Sequence, residues 1–146
     1  MNTTAPKLVL DTNILIASIG TRSPYRWIFD CVVDGRIILC LSNEILTEYE
    51  EVLTRKTNQL VAENIINLLT ISPFTVRTDI YFNFGLIDTD HSDNKFVDCA
   101  IASNADLILS NDKHFQILET INFPKVRVLT ADEFADIYKE ELAAKG

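Results

Sequence analysis

No apolar stretch in this chain approaches the roughly 18 residues that a membrane-crossing helix requires, since the first run, Leu8-Val9-Leu10, is cut short by Asp11. Met1 to Lys7 also lacks the charged and then apolar plan of a secretory leader. A cytoplasmic protein with no membrane association is expected. Cysteine is sparse and unpatterned: Cys31, Cys40 and Cys99 make an odd count, have no CxxC spacing and sit in apolar stretches, which fits buried, reduced thiols without chemistry. Histidine is limited to His91 and His114, so the His and Cys ligation typical of zinc is missing. Each flanks an acidic motif and is read as an exposed loop residue, with a place behind a metal ligand as the alternative. Positive charge is also short. Thirteen Lys and Arg stand against 21 Asp and Glu, a net charge of −8, which argues against a protein that coats nucleic acid through a basic surface. An enzyme acting on nucleic acid is still allowed, because carboxylates gathered around divalent ions count as negative although the ions invert the field that a phosphate meets. Four of the cations, Arg22, Arg26, Lys95 and Lys113, fall close in sequence to the acids discussed below. With no repeat, low-complexity tract or linker, one domain over residues 1–146 is expected.

What the chain does have is an alternation of short apolar runs and amphipathic stretches. Lys7 to Asp11 reads as a buried strand and Asn13 to Ile19 as a helix. Pro24 opens a helix over Tyr25 to Val33, which Gly35 ends. Arg36 to Leu41 is a second strand, and Ser42 or Asn43 caps a helix that runs to about Lys56. A further amphipathic helix spans about Asn58 to Leu69. Ser72 to Leu86 is the least legible segment, with a short strand at Phe74 to Arg77; its aromatics Tyr81, Phe82 and Phe84 read as core or loop packing ahead of a base-stacking platform. Then come an Asp-rich loop, a helix from Asp93 to Ser103, a strand at Leu107 to Leu109, a short helix after Asp112, a strand at Val126 to Leu129, and a helix from Ala131 whose start carries the T-x-x-E capping box Thr130-Ala131-Asp132-Glu133. This order predicts an α/β fold, a three-layer α/β/α sandwich around a central, mainly parallel sheet.

In such a sheet ligands bind outside the carboxyl ends of the strands, and acids recur at that end. Asp11 closes the first strand, Glu48 lies one turn into the helix after the second, Asp93 opens the helix after the Asp-rich loop, and Asp112 follows Leu107-Ile108-Leu109. An N-cap role competes with ligation for Asp11, Asp93 and Asp112. Thr12 and Asn13 could cap in place of Asp11, and Ser92 or Asp90 in place of Asp93. Helical phase sets Glu48 beside the buried stripe Ile45, Leu46, Tyr49, Val52 and Leu53, with Glu44, Glu50 and Glu51 turned further out. Asp93 lies at the centre of the stripe formed by Phe96, Val97, Ala100 and Ile101, aimed inward. Asp98, about 140° round from it, is read as a surface residue or one behind the ligands. Unit charges about 4 Å apart repel by roughly 4 kcal/mol at an effective dielectric of 20, so four convergent carboxylates require protons or cations. An all-oxygen site suits Mg²⁺ or Mn²⁺, and phosphodiester hydrolysis is the natural reaction of such a site.

Four segments in order, Val9-Leu10-Asp11-Thr12-Asn13-Ile14-Leu15, Leu41-Ser42-Asn43-Glu44-Ile45-Leu46-Thr47-Glu48, Asp90-x-x-Asp93-Asn94-Lys95-Phe96 and Leu109-Ser110-Asn111-Asp112-Lys113-His114-Phe115, resemble PIN domains over nearly the whole chain, and look most like the branch related to VapC-like toxins. The resemblance implies that Asp11, Glu48, Asp93 and Asp112 coordinate Mg²⁺ or Mn²⁺ for cleavage of single-stranded RNA. It also implies a homodimer and a cognate antitoxin that blocks the active site. Thr12, Asn13, Asp90, Lys95, Ser110 and Lys113 are the candidates for supporting the ligands or touching substrate. An aspartyl phosphatase needs a second Asp two residues after its nucleophile, and position 13 is Asn. A receiver-type signalling domain needs a Lys near the last strand, where Thr130-Ala131 offers none. A non-catalytic RNA-binding or regulatory module is the alternative from another class.

Overall fold

The computed structural model describes residues 5–87 and 91–144. Five strands, β1 (Lys7–Leu10), β2 (Ile38–Leu41), β3 (Thr75–Arg77), β4 (Leu107–Leu109) and β5 (Val128–Leu129), form one sheet in the order β3-β2-β1-β4-β5. Every pairing is parallel, so "mainly parallel" sharpens to all parallel among the described residues. The reason is visible in the residues. The runs Leu8-Val9-Leu10 and Leu107-Ile108-Leu109 are almost wholly excluded from solvent, as strands covered on both faces must be, and each is joined to its neighbour through helices rather than hairpins. Helices α1 (Thr12–Ile19), α2 (Arg26–Asp34), α3 (Asn43–Lys56), α4 (Gln59–Ile71) and α5 (Asn94–Ser103) complete a three-layer α/β/α sandwich with α6 (Ala131–Phe134), which continues through a π-helical turn, Ala135–Lys139, into α7 (Glu140–Ala144). The longest described helix spans 14 residues, and none is long and apolar enough to cross a membrane.

Boundaries shift where side chains intervene. The second strand begins at Ile38 instead of Arg36 because α2 closes with Gly35 in the left-handed region at φ 84° and Ile37 N–H donates back to Cys31 O at 3.0 Å. Gly35 is also pressed against a ring: a Cβ there would lie 2.6 Å from Phe74 Cδ1. Ser42 and Asn58 cap α3 and α4, and both bonds of the Thr130/Glu133 capping box are present. The segment after Asp112 is a 3₁₀ helix, Lys113–Thr120. Cys31, Cys40 and Cys99 are buried and unpaired with one another, as expected. Burial pushes the Cys99 thiol up to about 12, which removes it as a nucleophile at neutral pH.

The Ser72-to-Leu86 segment departs furthest from expectation. Tyr81 and Phe82 are 91% and 65% exposed, so neither is a core residue. Only the Phe82–Phe84 edge contact, with centroids 4.6 Å apart, answers to loop packing.

Candidate active site

Sheet pairing fixes the first and fourth acid segments side by side. Leu10 is in register with Leu109, and Asp11 N–H continues the ladder to Leu109 O at 3.0 Å. The two strands therefore deliver Asp11 and Ser110-Asn111-Asp112 at the same edge. Ser110 joins them: its hydroxyl donates to Asp11 Oδ2 at 2.8 Å and accepts from Asp112 N–H at 3.0 Å. Asp11 occupies the N-cap position of α1 but makes no capping bond with its side chain. Neither Thr12 nor Asn13 caps instead. Thr12, on the first turn, donates its hydroxyl to Glu48, and Asn13 is exposed, lining a hollow of about 230 Å³ with Asp11 and Asp112.

Glu48 reaches the edge because its neighbour is nailed down. Tyr49 is fully buried and donates its hydroxyl to Leu10 O at 2.5 Å, tying α3 to the last residue of β1. Helical phase then points Glu48 toward Asp11, as the sequence predicts. Its Oε2 receives the Thr12 hydroxyl and its Oε1 receives Lys95 Nζ at 2.8 Å. Lys95 also donates to Ser92 O and rests 5.4 Å from the centre of the Phe96 ring.

Asp93 is 8% exposed and stands at the N-cap of α5 without a capping bond from its side chain, consistent with the inward aim read from the stripe. Asp112 does cap: its Oδ1 accepts from His114 N–H at 2.9 Å. Ligand atoms of Asp93, Asp112 and His114 lie within 4.8 Å of one another, with His114 Nδ1 3.6 Å from Asp93 Oδ2 and 3.3 Å from Asp112 Oδ1. His114 is exposed, as the sequence predicts, and its ring also reaches the acid cluster, the alternative that its acidic neighbour suggests. The 3₁₀ turn after Asp112 is what swings the ring back, and the Asp-Lys-His spacing was the available signal. Lys113 points to solvent. Asp90 lies outside the described residues.

Asp98 is a correction. It is 4% exposed, and its Oδ1 accepts from Phe84 N–H at 3.0 Å, so it anchors the loop after β3 instead of lying on the surface. Asn94 does the same at the loop's end, accepting from Ile87 N–H at 2.9 Å and donating to Ile87 O at 3.0 Å. Neither role follows from helical phase, because the loop that covers this part of α5 has no periodicity of its own.

The electrostatics fit a cation. Burial holds the Asp11 carboxyl above its usual 3.8; the Ser110 bond opposes this, and the charges of Asp112 and Glu48 push it further up. Carboxylates that raise one another's protonation are stabilised when a divalent ion replaces the proton. Two carboxylates and one imidazole whose ligand atoms lie this close are a set that could hold a divalent ion.

Comparison with known proteins agrees with this geometry. A family model described as the PIN domain matches residues 7–114. No curated protein matches significantly. Among solved structures, VapBC2 from Rickettsia felis bound to a DNA fragment from its promoter aligns with TM-score 0.58 at 15% identity, over 85% of this chain and 98% of the other. Mycobacterium tuberculosis VapC20, described as a Sarcin-Ricin loop cleaving toxin, gives 0.57 at 13% identity over 82% and 98%. The PIN domain endonuclease Utp24 gives 0.51 at 15% over 85% and 84%. At such identities the structural likeness speaks for the fold, and it is the family model, spanning all four acid segments, that shows the chain to belong to the PIN-domain family.

Proposed function

We propose that this chain is a metal-dependent endoribonuclease that hydrolyses single-stranded RNA, with Asp11, Glu48, Asp93 and Asp112 holding Mg²⁺ or Mn²⁺. The observation that carries the reading is the gathering of Asp93, Asp112 and His114 within 4.8 Å, beside an Asp11 tethered to the same segment by Ser110. When bound, the ion neutralises charge on the phosphoryl group and lowers the pKa of water for attack. The chain's own residues prepare for this. Ser110 fixes which oxygen of Asp11 faces the crevice, and Thr12 and Lys95 hold Glu48 in one orientation. Lys113, exposed beside Asp112, is placed to meet an RNA phosphate.

The similar structures support a cellular role. The Sarcin-Ricin loop cleaving toxin VapC20 and two DNA-bound VapBC structures, from Rickettsia felis and Salmonella typhimurium, share the fold over most of this chain. We read this protein as a toxin of the same kind, a homodimer in the cytoplasm restrained by a cognate antitoxin. The test is cleavage of labelled single-stranded RNA by the purified protein in Mn²⁺, Mg²⁺ or EDTA, with Asp11→Asn and Asp93→Asn alongside. Metal-dependent cleavage lost in both variants is the expected result. Wild type indistinguishable from the variants would overturn the general-nuclease reading and leave an RNA-binding or regulatory module.

A further inference from the structure

Three clefts meet beside the site. One of about 370 Å³ contains Glu48, Lys95 and Glu44; a second, of about 390 Å³, runs from Glu44 and Asn43 along Thr78–Tyr81; a third, of about 340 Å³, is lined by Glu44, Asn83, Lys95 and Asp98. Glu44 lines all three and Lys95 two, so the clefts lie side by side between Glu48 and the loop after β3, a grooved surface with Glu44 at its middle. That loop presents two rings to water, Tyr81 at 91% and Phe82 at 65% exposure, yet it is firmly held. Thr78 N–H donates to Leu41 O at 2.8 Å, Phe84 N–H to the buried Asp98, and Ile87 exchanges two bonds with Asn94. The Tyr81 hydroxyl stands 3.4 Å from Asp79 Oδ2.

Rigid exposed aromatic rings beside a groove are the usual means of holding unpaired bases. The charges along the groove say which part of a nucleotide goes where. At the far end Glu44 and Asp79 line the wall, and the Arg77 guanidinium is bonded to Asn43 Oδ1 at 2.6 Å. Carboxylates accept from N–H groups, and guanine alone among the four bases offers two parallel N–H donors on its Watson–Crick edge. At the near end the one cation of the lining, Lys95, is bonded to Glu48, so the positive charge for a phosphate there would come from the divalent ion of the proposed site.

We propose that this groove is a nucleobase subsite, in which Tyr81 stacks on an unpaired base next to the scissile phosphate and Glu44 accepts hydrogen bonds from its Watson–Crick edge, with guanine preferred. The proposal rests on the nuclease reading and adds a base preference to it.

The test is fluorescence anisotropy of 5′-labelled oligouridine RNAs carrying one central G, A, C or U, in Ca²⁺, with oligonucleotide length checked on a gel. Wild type is expected to bind the G-containing RNA most tightly. Tyr81→Ala should weaken binding of all four by about tenfold, within the range for one lost stacking contact. Glu44→Gln should reduce the preference for G while leaving the oligouridine affinity in place. Equal affinities for the four RNAs, or wild-type binding by Tyr81→Ala, would overturn the proposal. So would a change of oligomeric state in Tyr81→Ala with RNA binding intact, which would make the rings a protein interface. Cleavage in Mn²⁺, followed in parallel with Asp93→Asn as control, separates the two readings. Base-selective binding without cleavage sinks the nuclease and keeps the subsite; cleavage indifferent to Tyr81 and Glu44 does the reverse.

Discussion

Tyr49 fastens the helix that carries Glu48 to the sheet through one buried hydroxyl. Its bond to Leu10 O ties α3 to β1 one residue away from Glu48. Tyr49→Phe leaves a buried carbonyl short of a partner and should cost about 1–2 kcal/mol, read as a lower midpoint in urea unfolding. Because Glu48 then loses its fixed base, the thermal stabilisation given by Mn²⁺ should shrink as well. A variant with lowered stability and an unchanged Mn²⁺ response would show that Tyr49 serves packing alone. Asp98 gives a pH signature. Burial raises its pKa above the ordinary 3.8, the Phe84 N–H bond opposes this, and Glu44 adds to it. The sign follows from linkage. A carboxyl with a raised folded-state pKa favours the fold most below its unfolded value, and that contribution is lost as pH climbs through the folded value. Asp98→Asn keeps an acceptor for Phe84 N–H and removes the charge, so its stability relative to wild type should grow from about pH 4 toward neutrality. Equal pH profiles in thermal melts would refute it. Among single residues, Asp11, Glu48 and Asp93 were legible because strand ends and helical phase place them; Asn94 and Asp98 were not, because turns without periodicity set their surroundings.

At the scale of elements, legibility followed burial. β1 and β4 are continuous apolar runs and were placed within a residue. The ends of β2 and β5 depended on local hydrogen bonds that no pattern announces. Gly35 illustrates such a boundary. It combines a left-handed backbone with contact against Phe74, so Gly35→Ala incurs both conformational strain and a displaced ring. A loss of about 1–2 kcal/mol is expected, or a melting temperature lower by about 3–6 °C. Since α2 ends there and β2 begins three residues later, the variant should keep metal binding and lose only stability. The loop between β3 and α5 carries the opposite lesson: hydrophobic rings in a sequence do not declare a core, and Tyr81 and Phe82 lie in water.

For the whole molecule, the acidic cluster sets stability against function. Bringing like charges to one edge of the sheet lowers the stability of the metal-free protein, and on the proposed reading a bound divalent ion would restore it. Saturating Mn²⁺ at about 100 times its dissociation constant should add about 2.7 kcal/mol, seen as a rise in melting temperature that EDTA reverses. Asp112→Asn should melt higher than wild type without metal and respond little to Mn²⁺. A wild type whose melting temperature ignores Mn²⁺ and Mg²⁺ alike would remove the metal site from the account.

The Ser110 hydroxyl spans 99 residues of chain to reach Asp11. On a ribosome adding roughly 5–20 residues each second, that span corresponds to about 5–20 s of synthesis. During that interval Glu48 and then Asp93 are added after Asp11, while Asp112 has yet to be made. On the proposed nuclease reading, an activity assembled across β1 and β4 would be absent until β4 docks beside β1.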